Sequence, residues 1–283
     1  MNDMLTVAAA QFTVTRDPSM NLTLIREYAL RASEEGARLL VLPEGLIARD
    51  GGDDAFVAAH AQPLDGPFVT GLRRISMETG VMLMGTVHVP EHEDGRDDAD
   101  LACEGRRRVA NIFLVVRDGR IVATYRKLHL YDAFSERESD TVTSGDALPP
   151  LVDVDGWRVG VMTCYDVRFP ETARSLAVRG ADIIVVSAAW VRGALKERHW
   201  RLMTAARALE NTCYVVACSE VSNRNIGLSR ILDPLGETVA NAGARPGVIM
   251  ASLDRDVLRS ARETLPVLTN RRFADPCLAV ESR

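Results

Sequence analysis

The feature that most restricts how this chain can fold is a phrase that occurs in it twice. "GARLLVLPEG" from Gly36 and "GADIIVVSAA" from Gly180 share one form: a glycine, a short lead, then a run of branched apolar residues. Each follows a helix-like stretch, which itself follows a strand-like run ending near Phe12 in one case and near Cys164 in the other. The chain therefore contains two related strand-helix-strand units. In such a unit the crossover is right-handed, and ligands collect beyond the carboxyl ends of the strands. Glu44, Cys164 and Trp190, which follow these runs, are brought to that rim.

The remaining runs fit around this frame. Strand-length apolar segments occupy 5–12, 39–42, 81–87, 112–116, 121–125, 159–163, 183–187 and 214–218, and helix-like segments 21–35, 67–79, 170–179 and 195–210. Alternating strands and helices predict a layered α/β fold. In "FLVVRDGRIVATYRK" two runs flank Asp118-Gly119, a hairpin signal that a purely parallel sheet would not contain, so the sheets are expected to be mixed. With 283 residues, 47% of them hydrophobic, and no linker rich in Pro, Gly and Ser, a single domain over 1–283 is expected.

Composition narrows the partners. A net charge of −5, with the only basic cluster a short one at Arg106 to Arg108, argues against nucleic acid. The apolar start "MLTVAAAQFTV" has no basic leader and is too short to span a bilayer, so neither a signal peptide nor a membrane partner is expected. Five cysteines without CxxC spacing point to a reducing cytoplasm and away from a disulfide framework or a zinc site.

Three residues stand out. In "VGVMTCYDVRFPETA" an apolar run stops at Cys164 and a helix opens near Pro170. A turn of that kind projects a side chain into the crevice, and the helix N-terminus is expected to favour the thiolate. The alternative is a cysteine packed as a small hydrophobe, the reading given to Cys213 and Cys218. Cys103 falls in a charged loop. A nucleophilic thiol needs a base. His60, His88, His92 and His199 have no partner evident in the sequence, and His129 in "YRKLHLYDAF" is the exception. Glu44, closing "LLVLPEG", is the stronger base, its pKa expected to be raised by desolvation; otherwise it is a helix cap or half of an ion pair. Lys127 follows a strand directly, and is either a snorkelling lysine or a third member of the group.

Taken together and in order, "LLVLPEG", "YRKLHLYDAF" and "VGVMTCYDVRFPE" resemble the three signatures of the nitrilase superfamily of carbon-nitrogen hydrolases. "AAAQF" near the start, "RHWRLMTAARALENTCYVVACS" and "GLSRILDPLGE" extend the resemblance over nearly the whole chain. It implies a four-layer αββα sandwich, a Glu44, Lys127, Cys164 triad, and no metal or organic cofactor. It also implies a second glutamate between the lysine and cysteine motifs, Glu138 with Glu136 as the fallback, and the backbone N–H of Tyr165 as a donor to the oxyanion. The phrase "KLHLYDAF…ESD" is most similar to the branch containing ω-amidases and deaminated-glutathione amidases. One departure is Leu228, where many members have histidine. Dimers or larger homo-oligomers are usual in the family, and the tail at about 266–283 is expected at such an interface.

The expected activity is thiol hydrolysis of a small amide through a thioester, releasing ammonia. Arg168, four residues after the nucleophile, is expected to hold a carboxylate of the substrate bidentately, or else to pair with Asp166 or Glu171. A carbamoyl-amide hydrolase or a nitrilase would use the same triad. A noncatalytic binding module on the same fold and a redox-sensing thiol are the readings from other classes, the latter disfavoured because Cys164 has no resolving cysteine beside it in the sequence.

Overall fold

In the computed structural model, which describes residues 3–91 and 108–279, the first doubled unit is β1 (Met4–Gln11), α1 (Pro18–Glu34) and β2 (Leu39–Val41). Then come α2 (Asp54–Ala59), α3 (Pro67–Thr79), β3 (Met82–Pro90), β4 (Val109–Arg117), β5 (Arg120–Arg126) and the short β6 (Val142–Thr143). The second half runs β7 (Leu151–Val154), β8 (Trp157–Thr163), α4 (Pro170–Val178), β9 (Ile183–Ala188), α5 (Lys196–Leu209) and β10 (Tyr214–Ser219). β11 (Arg230–Leu232), β12 (Thr238–Asn241), β13 (Gly247–Asp254), α6 (Arg255–Thr264) and α7 (Val267–Asn270) follow. His92, Cys103, Arg106 and Arg107 lie outside the described residues.

One sheet has the order β13-β1-β2-β3-β4-β5 with β6 paired to β4, and the other the order β12-β11-β10-β9-β8-β7. β1, β2 and β3 are parallel, as are β8, β9 and β10, while β3 with β4 and β10 with β11 are antiparallel. Both sheets are therefore mixed. The repeated phrase corresponds to a repeated structure. Gly36 and Gly180 both take positive φ, +77° and +95°, just past the ends of α1 and α4. The next amide in each case reaches back into the helix, Ala37 N to Ala32 O at 2.8 Å and Ala181 N to Leu176 O at 3.0 Å. This left-handed cap turns each chain into β2 or β9, and a glycine takes it without a Cβ penalty.

The period of two along the strands makes the layers. Val7 and Ala9 of β1 face an inner core shared with Val159, Val161, Ile183 and Val185 of the other sheet. Ala8 and Ala10 face outward onto Ile25 and Ala29 of α1. On the far side Ile184 and Val186 of β9 pack on Leu176 of α4 and Trp200 of α5. The result is an αββα sandwich with an apolar layer between its sheets.

The hairpin at Asp118-Gly119 joins β4 to β5, with φ of +50° and +71° at the two turn residues, as a type I′ turn requires. Elements the sequence did not reveal are α2, α6, α7 and five strands, β6, β7, β11, β12 and β13. Leu228 sits in the left-handed region at φ +59° and lends its carbonyl to Trp200 Nε1 at 2.9 Å. Of the tail, residues beyond α7 run to 279 without regular structure, and Phe273 is 90% exposed. No helix among the described residues is long and apolar enough to cross a membrane.

Candidate active site

The chain leaves β2 through Leu42 and Pro43, and both sheets hold it there. Leu42 N donates to Met84 O at 2.7 Å, while Ser187 Oγ of β9 donates to Leu42 O at 2.8 Å and Glu44 N to Ala188 O at 3.2 Å. Glu44, 4% exposed, thus turns its carboxylate along the ends of both sheets. Oε1 accepts from Lys127 Nζ at 3.0 Å and Asn111 Nδ2 at 2.8 Å, and Oε2 from the backbone N–H of Ala189 at 3.0 Å. Lys127 is 2% exposed, the first residue beyond β5, and its amide is pinned to Asn111 O at 3.0 Å. Snorkelling to solvent is therefore not what it does. Its ammonium is shared with Glu138, whose oxygens accept at 2.9 and 2.8 Å and one of which also accepts from Tyr131 N at 2.6 Å. Glu138, not Glu136, is the second glutamate on the lysine; Glu136 pairs with Arg224 at 2.9 Å.

Cys164 opens a single 3-10 turn, Cys164–Arg168, that ends β8. Its φ of +42° is costly for a residue with a Cβ and points the thiol into the cavity. The turn is fixed from behind by Asp166, whose Oδ2 accepts from Thr163 N at 2.9 Å and Tyr125 Oη at 2.9 Å. Its Oδ1 accepts from the N and Nδ1 of His129 at 3.2 and 2.7 Å. One buried carboxylate therefore locks the Tyr125–His129 segment, which carries Lys127, to the turn that carries Cys164. His129, stacked on Phe169 with ring centres 3.6 Å apart, serves this brace.

The charge states differ from the sequence-based expectation in two ways. Burial pushes the Cys164 thiol well up, the Glu44 carboxylate adds to this, and Lys127 and the Ala189 N–H only partly oppose them. The thiolate is not favoured at rest: α4 begins six residues further on, too far for its N-terminus to compensate. Glu44 shifts the other way. Burial would raise it, but Lys127 and Arg49 together outweigh burial and hold it at about 2. For Glu138 burial prevails over Lys127 and raises the pKa. The resting site is a neutral thiol beside an ionised Glu44.

Cys164, Glu44, Lys127, Glu138, Tyr165 and Trp190 all line one cavity of about 90 Å³. Tyr165 packs edge-on against Tyr131 and Phe169, at 5.1 and 5.2 Å. Trp190, beyond β9, is held by its Nε1 on Lys196 O at 3.0 Å. Arg168 forms no ion pair with Asp166 or Glu171; Asp166 is turned inward, and the guanidinium lies 4.8 Å over the Trp190 ring and 3.4 Å from His199 Nδ1. The sequence reading missed Asn111, Tyr131, Lys196, Arg49 and His88. Asn111 had a signal, a lone amide inside the apolar run of β4. Lys196 had none, since a lysine at the start of a charged helix reads as solvated.

His88 is 6% exposed at the edge of this cavity. Burial lowers its pKa from 6.5 to about 3, with Arg49 and Lys127 adding to the effect and Glu44 opposing it. The folded chain then binds fewer protons than the unfolded one between those values. Stability held above pH 6.5 is expected to fall with acidification by about 1.4 kcal/mol per pH unit from this group. A His88→Gln variant should show a shallower decline of the thermal midpoint between pH 6.5 and 4. Equal slopes would clear His88 of the effect.

Comparison with known proteins identifies relatives over nearly the whole chain. A carbon-nitrogen hydrolase family model matches residues 6–263. The deaminated glutathione amidase of Escherichia coli O157:H7 is 46% identical over 272 residues, covering 96% of this chain and 99% of its own. The structure of a cysteine-to-alanine mutant of the Nesterenkonia AN1 amidase, from the nitrilase superfamily, superposes with a TM-score of 0.77 at 26% identity over 95% of this chain and 94% of that one. Another mutant of that amidase (TM-score 0.76, 25% identity, 95% and 94% covered) carries the acetamide moiety of fluoroacetamide covalently added at its active-site cysteine.

Proposed function

The chain belongs to the carbon-nitrogen hydrolase family, and from that premise we propose that it hydrolyses a small amide bearing a free carboxylate, with Cys164 as nucleophile, Glu44 as general base and acid, and Lys127 as oxyanion donor. The observation that carries this reading is the Glu44 carboxylate, 3.0 Å from the Lys127 ammonium in the cavity that holds the Cys164 thiol. Because the thiol is neutral at rest and Glu44 ionised, deprotonation accompanies attack. The Cys164 sulfur bonds to the amide carbon as its proton passes to Glu44, and Lys127 and the Tyr165 N–H take the charge developing on oxygen. Glu44 returns the proton to the departing nitrogen, leaving a thioester and ammonia or a small amine. Water then adds to the thioester, giving a proton to Glu44, and collapse expels the sulfur, which recovers that proton as the acid leaves. Glu138 holds Lys127 against Glu44 throughout.

Arg168 supports the carboxylate in this reading, since no acidic residue among those described neutralises it. Deaminated glutathione, named for the 46% identical relative, and the monoamides of short dicarboxylic acids are the first compounds to test. Purified protein is incubated with these, with N-carbamoyl amino acids and with nitriles, and ammonia, free amine and new carboxylic acid are quantified. Turnover of an acidic amide faster than any carbamoyl compound or nitrile is the expected result. Preference for either of those two classes would replace the amidase reading with theirs.

A further inference from the structure

Beside the cavity that holds the thiol lies a second, larger one. Segments that follow β1, β2, β9 and β10 line an open groove of about 790 Å³, to which they bring Arg16, Arg49, Arg192, Arg224 and a single carboxylate, Glu220. These are carboxyl ends of parallel strands, the edge at which ligands of a layered α/β fold collect. Arg49 and Arg224 line both cavities and so form their common wall. Arg49 also marks where the base meets that wall. A Cβ on Gly45, the residue after Glu44, would come within 2.7 Å of Arg49 Nη1, so the guanidinium lies against the backbone that carries the base. Arg224 occupies the space over Gly52 in the same way and donates to Gly51 O at 3.1 Å.

Three of the four arginines are matched by carboxylates, Arg16 by Asp50 at 2.9 Å, Arg224 by Glu136 at 2.9 Å and Arg49 by the buried Glu220 at 3.5 Å. Arg192 is not. Its Nε donates to Ser222 O at 3.2 Å, which holds the guanidinium at the groove, and among the described residues it has no ion-pair partner. The groove therefore carries an excess of positive charge, with one planar fork able to take a carboxylate. Its volume is that of a ligand site, and a reaction that released only ammonia would leave it without a use.

We propose that this groove receives the amine half of an extended amide, and that Arg192 there reads a carboxylate at the far end of that half, so that the chain favours acidic, peptide-like amines as leaving groups. The proposal rests on the amide-hydrolase reading and concerns the half of the substrate which that reading leaves open. In the proposed reaction Glu44 protonates the departing nitrogen, so the amine half sits against Glu44, and Arg49 joins that position to the groove. The cavity of about 90 Å³ at the thiol then serves the acyl half alone. The ligand class is an acyl dipeptide with a free carboxyl terminus, cut at its acyl amide.

The test holds the acyl half constant. Glutarylglycylglycine is compared with glutarylglycylglycine amide, which differs only at the far carboxylate. The wild type should favour the acid, and in Arg192→Gln the ratio of kcat/KM for acid over amide should fall about tenfold, the lower end of what a charge-assisted contact supplies, because the groove is open to solvent. The loss should lie mainly in KM, Arg192→Lys should restore part of the ratio, and added salt should lower the ratio in the wild type. Arg192 is exposed, and two substrates measured on one protein cancel any loss of active enzyme. A ratio that Arg192→Gln leaves unaltered overturns the proposal. A second measurement does not depend on turnover: calorimetric titration of both peptides into the Cys164→Ala protein, with and without Arg192→Gln. Tighter binding of the acid, lost on substitution of the arginine, supports the groove; equal binding of the two peptides, or of neither, overturns it. If the wild type hydrolyses no amide, the proposed activity fails, while the titration still decides for or against the groove.

Discussion

Cys164→Ala is expected to abolish turnover, by about 10⁴-fold or more, while the protein unfolds at nearly the same temperature. The asymmetry follows from where the sulfur is. It lines the cavity rather than filling an interlayer gap, and it accepts from no group that its loss would orphan apart from the Ala189 N–H, which keeps its bond to Glu44 Oε2 at 3.0 Å. Removing one such atom from a partly open site costs about 1 kcal/mol or less. Alanine bears the same backbone conformation at φ +42° that cysteine does. Mass spectrometry of protein quenched during turnover should show the added mass of the acyl group on the wild type and none on the variant. A variant within tenfold of wild-type rate would remove Cys164 from the mechanism.

Lys127→Met should have the second largest effect, and on two quantities. Turnover should fall about a hundred- to a thousandfold, the usual cost of one oxyanion donor, with KM changed less than kcat. Stability should fall too, because Glu44 and Glu138 lose the ammonium they share at 2.8–3.0 Å. Breaking a buried pair from one side costs about 3–5 kcal/mol. The sign with pH is fixed by the direction of the shifts. In the wild type Lys127 and Arg49 hold Glu44 low, so its contribution to stability is present above the unfolded value of 4.5 and lost as pH falls toward 2. Without the lysine, burial raises both carboxylates above their unfolded values, and stability is present in acid and lost as pH rises. The melting temperature of Lys127→Met should therefore trail the wild type further at pH 8 than at pH 5. Adding Glu138→Gln should recover stability but not rate. A single variant with unchanged kcat and a raised KM would reduce Lys127 to a binding group.

Much of the site could be read from the sequence because its main residues interrupt strong local patterns. Glu44 and Cys164 each break an apolar run, and the positive φ values at Asp118-Gly119 are what that dipeptide tolerates best. What could not be read depends on partners far along the chain. Glu44 owes its low pKa to Lys127, 83 residues away, so a burial argument made on its own segment took the wrong sign. Arg168 has Asp166 and Glu171 close in sequence, but Asp166 is consumed by Tyr125, His129 and Thr163. Four of the unread strands are short, β6 with two residues and β12 with four, and none of those in β12 is buried; β13 is longer and holds an apolar run, Val248 to Ala251, but only one of its residues, Leu253, is fully buried. Their place is set by pairing with neighbours, not by their own side chains.

The brace at Asp166 and the links from Ser187 and Glu44 across the strand ends have a consequence for the chain before it is complete. Glu44 and Lys127 ride on one sheet and Cys164 on the other, so under the proposed mechanism neither half is chemically armed alone. A nascent or partly opened chain presents a thiol without a base and a carboxylate without a thiol. The proposed acyl transfer then becomes possible only when the two layers close. The rate of the finished protein is in that sense a ruler for their spacing, and any slip between the sheets would register in the chemistry before it registered in the fold.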